Sequence, residues 1–432
     1  MSLAWPASAT GIVRIAMRTV DLIIVGAVVG AAGVAAVGIA DTAARVVVLT
    51  SLGLAAGTVA SVSQAYGAGD HEGVEVATTQ TVVLACLLGG VATAVGILGA
   101  PAFFRLLGAG PDVAGPGADY LRIVMATAVP RVLSILAARA IQATGDTRTP
   151  MVVRVVGTGV NIGLTVLLVA GLGPFPRLGV VGAGIGTAVG NLLSGAALFA
   201  VLASGRHPRL RLRATGWRRF DIGRRIARIG SPQVLERNLF AFAAIPLNAL
   251  VLTFGTAANA GFNVGRRVLL LALMPALGMG VAGSHLVGMR VGQRDADAAS
   301  AEGDRALILT AGISVCSAAL ALAFAGPIAA VFAGGEPAAA AEIVPWVRAF
   351  AVAAPLRGVY AVGRGVMQGA GETRLPLYAS AVGVIVMLLG GATLTTLVLG
   401  WGIVGIYGAV IADPLVRTAL LLRWWRAGTW RR

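Results

Sequence analysis

The sequence predicts an all-α membrane protein that crosses the bilayer about twelve times. Hydrophobic residues make up 57% of the 432 residues, only 12% are charged, and the mean hydropathy is +0.86. A soluble globular domain carries about twice that share of charged residues. Apolar segments of ~20 residues recur along the chain, and each is long enough to cross a hydrocarbon core of ~30 Å as a helix. None shows the alternating polarity of strands in a membrane barrel.

The predicted spans fall into two groups of six, separated by a polar linker. We therefore predict an N-terminal lobe over residues 1–203, a linker over 204–228 and a C-terminal lobe over 229–432. No cleavable signal pattern is found, so the first segment is expected to remain a transmembrane helix. The predicted spans cover residues 3–28, 44–65, 78–101, 116–142, 149–171, 179–203, 229–254, 266–291, 304–326, 341–368, 374–399 and 402–424.

The positive charge of the chain is best explained by membrane topology. The formal net charge is +16, and all 34 basic residues are arginine. The linker 204–228 alone holds nine of them. An arginine excess marks the cytoplasmic side, so the linker and both termini are expected in the cytoplasm and the protein in the cytoplasmic membrane. This argues against a nucleic-acid partner.

Cys86 and Cys316 lie in spans without metal-binding spacing and are predicted to be small core residues.

An internal repeat links the two halves. The stretch "IQATGDTRTP" returns as "MQGAGETRLP", and five identical residues in it stand 226 positions apart. Gly67 and Asp70 match Gly292 and Asp295 at an offset of 225. Because each half has six spans, the halves are expected to be related by a pseudo-two-fold axis along the membrane normal, as in secondary transporters. The repeated turn is predicted to be scaffold, since its acid can cap the next helix and its proline suits a first helical turn.

Three ionisable residues lie in the first predicted span. Arg14, Arg18 and Asp21 follow each other at spacings of four and three, which places them on one helix face. Charges inside a span are costly and usually paired or functional. One interpretation is a neutralised structural cluster. The other, which we favour, is that Asp21 alternates between a free form and a protonated or cation-bound form.

Polar residues in later spans add further candidates. Asn161 and Thr165 lie four apart in the fifth span, and Thr187 and Asn191 four apart in the sixth. Such residues alone are usually interhelical hydrogen-bonding groups. In the second half, Arg357 and Arg364 fall in the tenth span and Glu236 in the seventh. Glu236 and a neighbouring arginine form either a structural pair or a second carboxylate site, and we favour the pair.

Signatures of soluble enzymes are missing from the sequence. We find no phosphate-binding loop, no H-E-x-x-H and no G-x-S-x-G, so neither an enzyme nor a cofactor is predicted. A membrane-embedded enzyme is a weaker alternative, because the spans lack paired acidic metal motifs. A non-transporting sensor or scaffold is a further alternative, which would not need a buried carboxylate.

Several stretches together resemble the multidrug and toxic compound extrusion (MATE) family of secondary transporters. They run through both halves and include "LAWPASATGIVRIAMRTVDLIIVG", "SQAYGAGD", "IQATGDTRTP", "FGTAANAGFNVGRR" and "MQGAGETRLP". The resemblance implies two six-helix lobes that face a central cavity. It also implies export of cationic or amphipathic organic compounds in exchange for protons or sodium, by alternating access and as a monomer.

The resemblance is greatest to the branch of the DNA-damage-inducible and archaeal proteins. That branch implies a coupling site with an acid in the first helix, an Asn and an Asp four apart in the fifth and a Thr in the sixth. Asp21, Asn161 and Thr187 match three of these positions, whereas Thr165 stands where the branch usually has Asp. The loss of one carboxylate favours protons over sodium at Asp21.

Another branch carries an acid in the tenth helix, where this chain has Arg357. No second-lobe coupling site is therefore inferred. The intramembrane arginines also keep open a lipid or lipid-linked saccharide flippase of the same superfamily. Besides Asp21, Asn161, Thr165 and Thr187, the candidate cavity-lining residues are Arg14, Arg18, Asn191, Glu236, Arg357 and Arg364.

Overall fold

The computed structural model describes residue 24 and residues 26–205, 210–334 and 337–431. Within these ranges the chain is helical, with no β-strand. Helices α1 to α14 cover, in order, Ala31–Gly67, His71–Leu106, Pro111–Ala126, Ala128–Gln142, Arg148–Ala170, Gly179–Ala203, Phe220–Leu252, Thr256–Ala272, Met274–Gly292, Ala296–Ala323, Ala325–Phe332, Pro337–Gly369, Arg374–Val398 and Ile403–Arg426. Short 3-10 helices lie at Ala214–Arg218 and Thr429–Arg431.

The helices are long and apolar enough to confirm the predicted all-α membrane fold. In the described part of the chain, nine helices can each span a bilayer, and two bent helix pairs raise the number to eleven if each pair is one span. The pairs are α3 with α4, bent by 50°, and α8 with α9, bent by 44°. The first predicted span, 3–28, lies outside the described residues except for its last few positions.

The chain divides into two compact units, with the boundary between Arg228 and Ile229 inside α7. In the first unit, α4 packs against α1, α2 and α6, and Leu136 and Ile141 are fully buried in its core. In the second unit, α12 is the central helix and packs against α8, α9, α10 and α14. The residues that α12 presents to its neighbours therefore determine much of the interior of this unit.

Large apolar side chains on the outside of the helices are suited to contact with lipid. On α2, Leu87, Val91, Val95 and Leu98 form an exposed stripe at spacings of four, four and three. Cys86 and Cys316 are also exposed, so the prediction that they are core residues is wrong. The reason is that a helix in a bilayer can face hydrocarbon with any apolar or small side chain, and hydrophobicity alone does not distinguish that face from the protein interior.

The repeated turn forms the predicted cap in both halves. Asp146 Oδ1 accepts hydrogen bonds from the backbone N–H groups of Arg148 and Thr149, both at 3.0 Å. Glu372 Oε1 accepts them from the N–H groups of Arg374 and Leu375, at 2.7 and 3.1 Å. The preceding glycines, Gly145 and Gly371, have φ of 92° and 88°, a left-handed region that favours glycine. The same turn therefore starts α5 and α13.

A second matched pair has the same structural role. Asp70 caps α2 by accepting from Gly73 N–H at 2.8 Å, and Asp295 caps α10 by accepting from Ala298 N–H at 2.9 Å. Side-chain acceptors at this position satisfy backbone donors that no helical partner can reach. The conserved spacing of the repeat thus preserves helix starts.

Candidate functional site

The first candidate site lies between α5 and α6, which pack closely because small residues line their contact. Gly182, Gly186 and Gly190 recur every fourth residue on α6 and so occupy one face. A Cβ atom at Gly186 would lie 2.5 Å from Thr165 Oγ1, and one at Gly190 would lie 2.9 Å from the Asn161 Cβ. Small residues at this spacing let membrane helices approach closely. The packing brings polar side chains of the two helices together.

Asn161 and Thr187 form the contact at the centre of this site. Asn161 Nδ2 donates to Thr187 Oγ1 at 3.2 Å. Thr165, one turn further along α5, is fully buried. Asn191 lies one turn beyond Thr187 on α6 and is half-buried. The structure thus brings Asn161 and Thr187 into contact and places Thr165 and Asn191 one helical turn away on the same two helices.

The polar atoms of this site are not fully hydrogen-bonded. Asn161 Oδ1 and Thr165 Oγ1 are buried and have no hydrogen-bond partner, and the same is true of Asn191 Nδ2. Buried polar atoms are almost always hydrogen-bonded to protein or water, so unpaired ones are suited to bind a water molecule or an ion. The site therefore offers two neutral oxygen acceptors. Neither α5 nor α6 contains a carboxylate.

The remaining first-lobe candidates, Arg14, Arg18 and Asp21, lie outside the described residues. Their predicted roles stay predictions. No group of three or more His, Cys, Asp or Glu side chains suited to a metal ion occurs in the ranges that the structure describes.

The second unit contains a network of charged side chains on α7, α12 and α14, to which α13 adds the hydroxyl of Ser380. Glu236 on α7 is completely buried. Its Oε1 accepts from the Tyr360 hydroxyl at 2.8 Å, the Ser380 hydroxyl at 2.9 Å and Arg364 Nη1 at 3.4 Å. Its Oε2 accepts from Gln233 Nε2 at 2.6 Å. Four donors from three helices therefore hold this carboxylate.

A second ion cluster lies on α12 and α14. Asp413 is completely buried, and both of its oxygens accept from Arg417, one turn further along α14. Asp413 Oδ2 also accepts from Arg357 Nη2 at 3.2 Å. The guanidinium of Arg417 lies 4.1 Å from the Phe240 ring centroid and 5.2 Å from that of Tyr360. Tyr360 thus contacts both clusters, because it also binds Glu236.

Comparison with known proteins identifies the family. The family profile described as MatE matches residues 6–167 and 232–409, which together make up most of the chain. The chain belongs to the MatE family. A Bacillus subtilis protein, "Probable multidrug resistance protein YoeA", is 26% identical over 65% of this chain and 61% of its own length. A Bradyrhizobium diazoefficiens protein, "Probable multidrug resistance protein NorM", is 28% identical over 98% of this chain and 91% of its own length.

Solved structures agree on the MATE fold. A MOP superfamily transporter from Pyrococcus furiosus superposes with a TM-score of 0.91, covering all of this chain and 95% of its own, at 24% identity. A solved MATE structure superposes with a TM-score of 0.92, covering 98% of this chain and 94% of its own, at 23% identity. The chain therefore has the MATE fold, and the two-repeat arrangement predicted from the sequence is consistent with it. The family match and the apolar helices together make the chain a multi-pass membrane transporter. Its assignment to one branch of MATE transporters stays a prediction.

The structure also shows which interior residues of this MATE transporter the sequence reasoning missed. Tyr360, Ser380, Asp413 and Arg417 were not among the predicted site residues, although they complete the network around Glu236, Arg357 and Arg364. Asp413 and Arg417 carried a usable signal, because an acid and an arginine four apart inside an apolar span are as unusual there as Asp21 and its neighbours. The partner of Glu236 in the network is Arg364, 128 residues away in sequence.

Proposed function

We propose that this MATE transporter is a secondary active antiporter that exports cationic and amphipathic organic compounds in exchange for protons. The observation that carries the proposal is the buried polar cluster between α5 and α6, with unpaired oxygens on Asn161 and Thr165. Multidrug resistance proteins among the relatives support the substrate class. We place the transporter in the cytoplasmic membrane, acting as a monomer with both termini in the cytoplasm.

In this proposal Asp21 carries the coupling proton, and the α5–α6 cluster supplies neutral oxygens that can bind a water or an ion. Protons are favoured over sodium because Thr165 contributes only a hydroxyl where the related branch usually has a carboxylate. Sodium is a hard cation that prefers several oxygen ligands including negative charge, as other hard cations do. Asp21 and neutral oxygens alone make a weak sodium site, whereas one carboxylate suffices to carry a proton.

Coupling requires that the proton binds the outward-facing and inward-facing states with different affinity. A ligand shifts a conformational equilibrium only by the difference in its binding free energy between the two states. Protonation of Asp21 from outside favours one arrangement of the first lobe and releases the compound outward. Loss of the proton to the cytoplasm restores the other arrangement. The hydrogen bond from Asn161 to Thr187 holds α5 and α6 together at the site.

The test is ethidium efflux from vesicles that contain the wild type or Asp21→Asn, under separately imposed proton and sodium gradients. We expect proton-driven efflux in the wild type and none in Asp21→Asn. The control is Asp112→Asn, which removes an exposed acid at the start of α3 and should leave efflux unchanged. Equal efflux in wild type and Asp21→Asn would remove Asp21 from the mechanism. Absence of efflux in both, with transfer of labelled lipid instead, would favour a flippase.

A further inference from the structure

The charged network of the second unit carries more positive than negative charge. We define the arginine edge as Arg357 and Arg364, which lie seven residues, or about two turns, apart on α12. With Arg417 they provide three guanidinium groups that, in the part of the chain the structure describes, are hydrogen-bonded to two carboxylates, Glu236 and Asp413, and Arg237 adds a further positive charge near Glu236. Buried charges are costly unless they are compensated. The hydrogen-bonded network is therefore at least one negative charge short of balance.

The imbalance is located at Arg357. Glu236 and Arg364 form a one-to-one pair with three further donors to the carboxylate. Asp413, in contrast, is shared by two arginines, and Arg417 already binds both of its oxygens. Among the described residues, Arg357 donates one hydrogen bond, from Nη2 to Asp413 Oδ2, and its buried Nε has no partner. A guanidinium has five donors in a planar fork, and one hydrogen bond within the described residues leaves most of this capacity of Arg357 unused.

The accessible part of the network is cationic. The side chains of Glu236 and Asp413 are 0% exposed and that of Arg417 is 3% exposed. Arg357 and Arg364 are 18% and 17% exposed. A molecule that reaches the network therefore meets guanidinium groups and no carboxylate. Water can satisfy free N–H donors, but only an anion also compensates the excess charge.

We infer that Arg357 is the centre of a binding site for an oxyanion, a carboxylate or phosphate group on an amphipathic organic substrate, with Arg364 at its flank. A guanidinium fork matches a carboxylate or phosphate in a bidentate arrangement. The ring of Phe240, which is half-buried and lies beside Arg417, provides apolar surface close to the ion cluster. The inference rests on the proposed function, because only a transporter would carry the bound compound as its substrate. It narrows the proposed amphipathic substrates to compounds that bear an oxyanion.

The site is tested by equilibrium binding, which does not depend on ion coupling. The probe is dansyl-undecanoic acid, a fluorescent amphiphile with one carboxylate, and its methyl ester is the uncharged comparison. Purified protein in a neutral maltoside detergent is titrated with each. We expect the wild type to bind the acid about tenfold more tightly than the ester, as the loss of a charge-assisted hydrogen bond implies. A negative ethidium efflux experiment would not change the binding result, and a negative binding result would not change the conclusion about proton-coupled efflux.

Variants locate the site. Arg357→Gln should remove the preference for the acid, and Arg357→Lys, which keeps the charge without the fork, should retain part of it. Asp413 keeps both hydrogen bonds to Arg417 in these variants, so folding is expected to persist and is checked by melting temperature. Arg305→Gln, which removes an exposed arginine on α10, is the control and should bind as the wild type does.

Four outcomes would overturn the inference. One is equal binding of acid and ester by the wild type. Another is an unchanged preference in folded Arg357→Gln. A third is displacement of the probe by inorganic phosphate at matched concentration, which would assign a site for small free anions. The fourth is displacement by phosphatidylglycerol but by no other anionic amphiphile, which would assign a lipid headgroup site.

Discussion

Glu236 and Arg364 form an ion pair between α7 and α12, with Glu236 Oε1 3.4 Å from Arg364 Nη1 and the carboxylate completely buried. Removal of one member of a buried pair leaves the other charge uncompensated, at a cost of roughly 3–5 kcal/mol. Because Tyr360, Ser380 and Gln233 also donate to Glu236, the carboxylate keeps three partners when the arginine is lost. The two members of the pair are therefore unequal in their importance for stability.

We predict that Glu236→Gln lowers the stability of the protein more than Arg364→Gln does. The first change leaves the Arg364 guanidinium, which is only partly exposed, without its carboxylate and turns the remaining hydrogen bonds into ones to a neutral amide; the second leaves a carboxylate that still accepts three hydrogen bonds. The double variant should be less destabilised than the sum of the single variants, by about 1 kcal/mol or more for residues in contact. Thermal unfolding in detergent measures all three. Strict additivity would show that the pair contributes no coupling.

Thr165→Asp is predicted to make transport responsive to sodium. The change restores a carboxylate four residues after Asn161, where the related branch usually has one, and adds negative charge to a site of neutral oxygens. Ethidium efflux driven by an imposed sodium gradient should rise above the wild-type level. Thr165→Asn, similar in size but uncharged, is the matched control. The idea fails if Thr165→Asp and Thr165→Asn respond alike to sodium.

Gly186→Ala is predicted to destabilise the first unit, because the added Cβ would lie 2.5 Å from Thr165 Oγ1 and 3.1 Å from the Asn161 carbonyl oxygen. Overpacking of this kind costs roughly 1–3 kcal/mol. Gly163→Ala on α5 is the control, since no atom lies within 4 Å of its added Cβ. There the better helix propensity of alanine should leave stability unchanged or raise it by up to ~1 kcal/mol. The melting temperature of Gly186→Ala should fall below that of the wild type, whereas that of Gly163→Ala should not.

Asp146→Ala and Glu372→Ala are predicted to cost similar amounts of stability. Each removes an acceptor for two backbone N–H groups at a helix start, and loss of such a cap costs about 1 kcal/mol. The exchanges Asp146→Glu and Glu372→Asp should cost less, because both acids already serve in the same turn. Asp119→Ala, an exposed acid within α3, is the control in the same unfolding assay. A large loss of transport with normal stability would instead assign the turns a direct role in function.

The helical fold was predictable from hydropathy, because a bilayer admits few other structures and each span needs ~20 apolar residues. The capped turns were predictable from the repeat, since local hydrogen bonds follow from local sequence. The contacts of Glu236 and Asp413 were not, because their partners lie on other helices and no local pattern gives the rotation of one helix against another. Asn161 and Thr187 were both candidates from the sequence, but their contact depends on the glycines of α6.

The acid-capped turns at Asp146 and Glu372 also bear on the history of the chain. After a gene duplication, two copies drift apart wherever folding does not restrain them. The turns were retained in both copies, whereas the polar interiors diverged: 226 positions after Asn161 stands Met387, and 226 positions before Glu236 stands Thr10. The two halves thus share the helix-starting turns but differ in their polar interiors. A chimera that repeats one half would keep these turns in both copies and would lose either the neutral polar cluster or the charged network.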